Sequence, residues 1–333
     1  MSLPPSPQTG PSAASSRPPR PGRLGIGIIG AGKVGAVLGA ALRAAEHAVV
    51  GVSAVSEASR ERAELLLPGV PVLEIPEIVE RAELVLLAVP DDALGPLVEG
   101  LAKLGAWQPG QLVAHTSGRH GVGILAPVRS AGAIPLAIHP AMTFTGMSLD
   151  LTRLTDCCFG VTADPAMLPI AQALVVEMGA EPVVIAEGDR VAYHAALAHG
   201  SNHLVTLASQ AAEVLGRIGV ADPAAMLGPL LRASLDNALA AGESALTGPV
   251  ARGDVGTVAA HVAALAELVA EAASPGGAGS GSADILEAYR AMARATAVRA
   301  ERRGLFGEDV RARVEAALDP DDPTFGDPAG EES

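Results

Sequence analysis

The sequence predicts an α/β protein: an N-terminal doubly wound, mostly parallel sheet followed by an all-helical C-terminal domain. Three observations carry this. Short apolar runs alternate with helix-like segments between residues 24 and 186. A glycine-rich turn, GAGKVG, follows the first run and opens a helix. Beyond Ala186 the strand-like runs stop, and Ala, Leu, Glu and Arg dominate to about Leu318. Alternation of strand and helix signals implies a parallel sheet covered on both faces.

The elements follow in order. Leu24–Ile29 reads as a buried strand, the small-residue segment after it as a helix, and Ala48–Val52 as a second strand, which makes a βαβ unit. Further strand runs are LVLLAVP (84–90), QLVAHTSG (111–118), IPLAIHP (134–140), CFGVT (158–162) and PVVIA (182–186). The helical half breaks at GVADP (219–223), LTGPVARGD (246–254) and SPGGAGSGS (274–282), the last with the composition of a flexible linker. The expected organisation is a disordered Pro/Ser-rich tail at 1–22, a dinucleotide-binding domain at 23–186, a helical substrate and dimerisation domain at 187–318, and an acidic tail at 319–333. No internal repeat is evident.

Of the 333 residues 49% are hydrophobic but only 2% aromatic, so the core is built from Ala, Val, Leu and Ile. The net charge of -14 without a basic stripe argues against nucleic acid as a partner. Adjacent Cys157 and Cys158 cannot form a disulfide framework and suggest a reducing compartment. The N-terminus lacks a signal-peptide apolar region, and no run of about 18 uncharged apolar residues appears. A soluble cytoplasmic protein that neither spans nor binds a membrane is expected.

GAGKVG places Gly30, Gly32 and Gly35 in GxGxxG spacing, with Ala31, Lys33 and Val34 between them. The first glycine permits the tight turn, the second lets the backbone approach a pyrophosphate, and the third lets helix and strand pack closely. The helix N-terminus adds free amides and a positive dipole end. At the end of the second strand, where NAD enzymes carry an acid for the ribose 2′-hydroxyl, stands Ser53, with Ser56, Ser59, Arg60 and Arg62 beyond. Hydroxyls and a guanidinium suit a 2′-phosphate, so NADP is favoured and NAD is the alternative. Glu57 opposes this, and Arg60 and Arg62 read equally as solvated helix residues. Val89, Pro90 and Asp91 end the next strand at the ligand-binding edge of such a sheet. Asp91 and Asp92 also suit a helix N-cap.

His115 and Ser117 in HTSG, and His139 in HPAMTF, follow predicted strands and so fall at the same edge. The segment YHAALAHGSNHLV (193–205) adds three histidines on a helix. At about 100° per residue, Ala198, Ser201 and Asn202 share a face with His194, whereas His199 and His203 lie about 140° and about 180° away. His199 and His203 form an HxxxH pair, but the HExxH signature is absent and no third ligand is evident, so no metal is expected. In SALTGPVARGD, Ser244, Thr247 and Arg252 suit a substrate carboxylate, and Asp254 suits either the site or a helix cap.

GIGIIGAGKVG, LLAVPDDAL, HTSG, HPAMTFTG, HGSNHLVTL and LTGPVARGD together resemble the Rossmann-like proteins that carry domain of unknown function 2520. These look like relatives of ketopantoate reductase, pyrroline-5-carboxylate reductase and the β-hydroxyacid dehydrogenases. The ketopantoate reductase pattern of Lys, then Asn four and eight residues on, falls on His194, Ala198 and Asn202; its Ser and RxTE segment resembles Ser244 and Arg252–Gly253–Asp254. The resemblance implies an NADPH-dependent reductase of a small keto acid, with ketopantoate the best guess. In that reading His194 gives the proton, Asn202 orients the substrate, and Ser244, Thr247 or Arg252 holds its carboxylate. Alternatives are a cyclic-imine reductase and a non-catalytic nucleotide sensor. The Ala-rich helices suggest a homodimer through the helical domain.

Overall fold

The computed structural model describes residues 23–272 and 283–319. The tail at 1–22, the linker at 274–282 and the acidic tail beyond Asp319 lie outside the described residues. The described residues divide into two compact units between His199 and Gly200. The composition change at Ala186 comes earlier than this division, which falls inside one long helix.

The first unit opens with β1 (Gly25–Ile29), α1 (Lys33–Ala44) and β2 (Ala48–Ser53). Next come α2 (Glu57–Leu66), α3 (Ile75–Arg81), β3 (Leu84–Leu87), α4 (Asp91–Lys103) and β4 (Leu112–His115). Then follow α5 (Ala126–Ser130), β5 (Ile134–Pro140), α6 (Leu149–Arg153), β6 (Cys158–Ala163), α7 (Leu168–Glu177) and β7 (Glu181–Val184). The seven strands form one sheet in the order β2-β1-β3-β4-β5-β6-β7. All neighbours are parallel except β5 and β6, which run antiparallel. The order reverses at β1, with β2 on one side and β3 on the other, and this switch point is where open α/β sheets bind ligands.

Strand alternation supplies the two cores. Ile26, Ile28, Leu84, Leu86, Leu136 and Ile138 pack on one face with α1 and α7. Ile29, Val85, Leu87 and Val113 face the other side, against α3 and α4. Each such fully buried Ile or Leu stabilises the fold by roughly 1.5–3 kcal/mol. Because both faces are covered, the strands read as continuous apolar runs, which is why they were visible in the sequence.

Helix α8 (Arg190–Arg217) begins in the first unit and runs unbroken into the second, which adds α9 (Pro223–Ala241), α10 (Pro249–Arg252), α11 (Val255–Ala272), α12 (Ala283–Arg302) and α13 (Glu308–Leu318). Asp222 caps α9, accepting from the Ala225 amide at 2.9 Å ahead of Pro223, the residue type preferred at a first helical position. The second unit has its own core of Val258, Val262, Ala293, Ala297, Val314 and Leu318, drawn from α11, α12 and α13. Helix α9, by contrast, has no buried residue. Among the described residues no single helix is long and apolar enough to cross a membrane; one pair, Pro223–Arg252 with Val255–Glu271, passes jointly but is bent by 80°.

Candidate active site

Strand register brings the site together. Ile29 pairs with Leu87, Leu87 with His115, and His115 with Ala137. The residues just past these positions therefore line one edge of the sheet: Gly30, then Val89 and Pro90, then Ser117, and finally His139.

At β1 the glycine loop is fitted by backbone. Gly30 adopts φ +100, and a methyl there would lie 2.5 Å from the Ala88 carbonyl oxygen. A methyl on Gly35 would lie 2.1 Å from the Gly30 oxygen, so α1 seats directly on the turn. A methyl on Gly32 would meet nothing within 4 Å. The loop thus leaves room at the N-terminus of α1, where its unpaired amides converge, and these residues fit a pyrophosphate. Ala31 is buried with its N–H on the Ser53 carbonyl; Lys33 and Val34 open the helix.

The Ser53 side chain accepts the Gly30 N–H at 2.9 Å, so it braces the loop instead of facing outward. The Ser56 hydroxyl accepts the Ser59 N–H at 3.2 Å and caps α2. Arg60 is exposed on α2, whereas Arg62 folds back and donates to the Ala31 carbonyl at 3.1 Å. Arg62, not Arg60, is the guanidinium at the loop. Its signal was present in the sequence: it stands four residues before buried Leu66 and so shares that face. Neighbouring Gly146 (φ +81) packs on Arg62 and Lys33, in a turn held by Asp150. That fully buried carboxylate accepts from the Thr145 and Gly146 amides at 2.8 and 2.7 Å and from the Thr145 hydroxyl at 3.0 Å. Burial pushes its pKa up, but these hydrogen bonds outweigh that and hold it below the usual value.

Pro90, not Asp91 or Asp92, occupies the cap of α4, and neither carboxylate makes a capping bond. They lie in the first turn, where the helix dipole favours them, and pair with Arg119 at 3.1 and 3.3 Å.

His115 is wholly buried. Its Nδ1 accepts the Ser117 N–H at 3.1 Å, which leaves Nε2–H to donate to the Gly121 carbonyl at 2.9 Å. Burial lowers its pKa to about 4. With both nitrogens occupied, His115 holds the loop in place and is not free to meet a substrate. Ser117 is also buried, its hydroxyl accepting the His120 N–H at 3.3 Å.

His139 and His194 are half-buried, and their rings meet edge to face at 5.8 Å. A methyl on Gly118 would lie 2.5 Å from His194 Cδ2 and 2.9 Å from His139 Nε2, so the HTSG turn, β5 and α8 converge there. His139 Nδ1 bonds the Tyr193 hydroxyl at 2.9 Å. Its pKa is lowered to about 4, by burial first and then by the neighbouring His194 and Arg190 charges.

Beneath them lies Arg190, 1% exposed. Its Nε donates to the Thr162 hydroxyl at 2.8 Å, and its terminal nitrogens donate to the carbonyls of Ala137 (3.0 Å), Gly160 (3.1 Å), Ser117 (3.4 Å) and Gly118 (3.5 Å). Among the described residues no carboxylate pairs with it. Glu187, on the same side, instead accepts the Val122 and Gly123 amides. Sequence reasoning missed Arg190 and Tyr193, since a helix-start Arg and a Tyr three residues later carry no pattern of their own.

In the second unit, α8 carries Ser201 and Asn202, both exposed. The Ser244 hydroxyl donates to the Ala241 carbonyl at 2.6 Å, closing a helix end. Thr247 and Arg252 are exposed. Asp254 accepts from the Thr257 amide and hydroxyl at 3.2 and 2.7 Å, so it caps α11 rather than standing free for substrate. Among the described residues no three His, Cys, Asp or Glu side chains are grouped as a metal site would need.

Two family models match: a Rossmann-like domain over residues 8–140 and a domain of unknown function, DUF2520, over residues 157–296. The chain carries a Rossmann-like domain followed by a DUF2520 domain. No curated protein matches it in sequence. Among solved structures the protein is similar to BF3122 from Bacteroides fragilis, assigned as an NADP oxidoreductase, with TM-score 0.68 and 19% identity over 83% of this chain and 98% of that one. An imine reductase from Streptomyces aurantiacus follows at 0.55 and 17%, covering 84% and 99%. The pyrroline carboxylate reductase of Plasmodium falciparum, solved with NADP bound, gives 0.50 and 12%, covering 87% and 98%. At these identities the likeness is one of fold.

Proposed function

We propose that this protein is an NADPH-dependent reductase of a small keto acid, with ketopantoate the first substrate to test. One observation carries the reading: strand register sets the glycine loop and the His139–His194 pair along the same sheet edge. When bound there, NADPH supplies a hydride to a carbonyl or imine carbon. The chain's part is to hold and to protonate. Gly30, Gly32 and Gly35 seat the pyrophosphate, and Lys33 and Arg62 bring positive charge to it. NADP is preferred to NAD because Ser53, not a carboxylate, ends β2. His194 gives a proton to the oxygen on which negative charge develops.

An imine substrate is the second reading, favoured by the likeness in fold to an imine reductase and a pyrroline carboxylate reductase. The chain acts in a cytoplasmic compartment, which the free thiols of Cys157 and Cys158 support. It works as a homodimer through the helical unit, where α9 offers Leu230, Leu235 and Leu239 to solvent.

The deciding experiment is turnover. NADPH absorbance should fall when ketopantoate is added, faster than with 1-pyrroline-5-carboxylate, and His194→Ala should slow it about 10²-fold. Tight NADPH binding with no turnover across keto acids and imines would overturn the reductase reading in favour of a nucleotide sensor.

A further inference from the structure

We infer that Tyr193 fixes the tautomer of His139, making its Nε2–H a permanent hydrogen-bond donor on the side of the Gly118 turn and His194. The inference takes the identity of the acceptor, a substrate carbonyl oxygen or imine nitrogen, from the reductase reading; the tautomer itself does not depend on it.

The geometry leaves the phenol one direction to donate. Its oxygen lies against Gly160, where a methyl would come within 2.6 Å. The Arg190 guanidinium stands 5.8 Å from the ring centroid and has only donors to offer. The nearby Gly160 and Ala137 carbonyls already accept from Arg190. The remaining partner is His139 Nδ1, at 2.9 Å. A phenol that donates there makes Nδ1 the acceptor and puts the ring proton on Nε2. Nε2 has no hydrogen-bond partner among the described residues, and it faces the Gly118 turn.

A neutral imidazole in this role polarises its acceptor and gives up no proton, so no bond is made or broken at His139. That separates the work of the pair: His139 holds the acceptor atom, and His194 protonates it. Tyr193 is a positioning residue, acting only through His139.

The test uses the full chain labelled with ¹⁵N-histidine. Long-range ¹H–¹⁵N correlation at neutral pH should show His139 protonated at Nε2, and Tyr193→Phe should convert this to a mixture of tautomers. Wild-type His139 protonated at Nδ1, or an unchanged pattern in Tyr193→Phe, overturns the inference whether or not the protein reduces anything. A chain that shows the Nε2 tautomer but no turnover sinks the reductase reading alone. With turnover, Tyr193→Phe should lower kcat about tenfold while KM and NADPH affinity stay within about twofold. His139→Gln keeps a donor with no tautomer to choose. In that background Tyr193→Phe should therefore cost nothing further, and a full additive loss would show that Tyr193 is merely structural.

Discussion

Replacing Gly32 by Ala separates cofactor binding from folding. A methyl at Gly32 has no heavy atom within 4 Å, and the backbone there, φ -69 and ψ -173, is open to any L-residue. Alanine is a poorer helix cap than glycine by up to about 1 kcal/mol, but it lowers the unfolded chain's entropy by a similar 0.4–1 kcal/mol, so stability should move by less than about 1 kcal/mol. Gly35→Ala is the contrast. Its methyl would sit 2.1 Å from the Gly30 oxygen and 2.9 Å from the Ala88 Cβ. A carbon–oxygen contact needs about 3.3 Å, so backbone must shift by about 1 Å, at a cost of about 1–3 kcal/mol or more. Urea denaturation should therefore leave the Gly32→Ala midpoint near wild type and lower that of Gly35→Ala. Calorimetric titration with NADPH should show Gly32→Ala weakened at least about tenfold, about 1.4 kcal/mol, because its methyl fills the approach to the α1 amides. Gly32→Ala binding NADPH within twofold of wild type would refute the placement of the pyrophosphate.

Two further predictions concern the histidines and the helical unit. His115 has a folded pKa of about 4 against 6.5 ordinarily, so between these values the unfolded chain binds the extra proton. Stability should be full above pH 6.5 and fall as pH drops toward 4, by about 3 kcal/mol for this buried ring, and His115→Gln should flatten that slope in urea midpoints measured across the range. In light scattering the wild type should run as a dimer, and the pair Leu230→Glu with Leu239→Glu, exposed 62% and 79% in the single chain, should make it a monomer. A wild-type monomer at working concentration would end the dimer proposal.

Much of the sheet was legible because a doubly covered strand has to be apolar throughout: Leu84–Leu87 and Leu112–His115 are buried at every position. The glycine loop was legible because its spacing is imposed by backbone contacts at Gly30 and Gly35. Side-chain roles were harder to read. His115 and His139 look alike in sequence, each ending a strand, yet one has both nitrogens occupied and the other has one free. Arg190 was invisible because its partners are all neutral, four of them backbone carbonyls, which leave no mark in a sequence. Asp254 suited either a site or a helix cap and serves as the cap, while Ser244, read as a substrate ligand, bonds a helix-end carbonyl, a use open to any Asp or Ser beside a turn.

The single strand reversal between β5 and β6 decides which way the chain leaves the sheet. Because β6 and β7 run opposite to the strands before them, β7 finishes at the far edge from the glycine loop. Helix α8 then travels back over the sheet and meets it in sequence: Arg190 at Thr162 and Gly160, Tyr193 at Gly160 and His139, His194 at Gly118. Had β6 and β7 kept the common direction, the chain would have emerged beside the ligand edge already heading away from it. One change of heading turns an exit helix into an approach, and delivers its first turn to the chemistry.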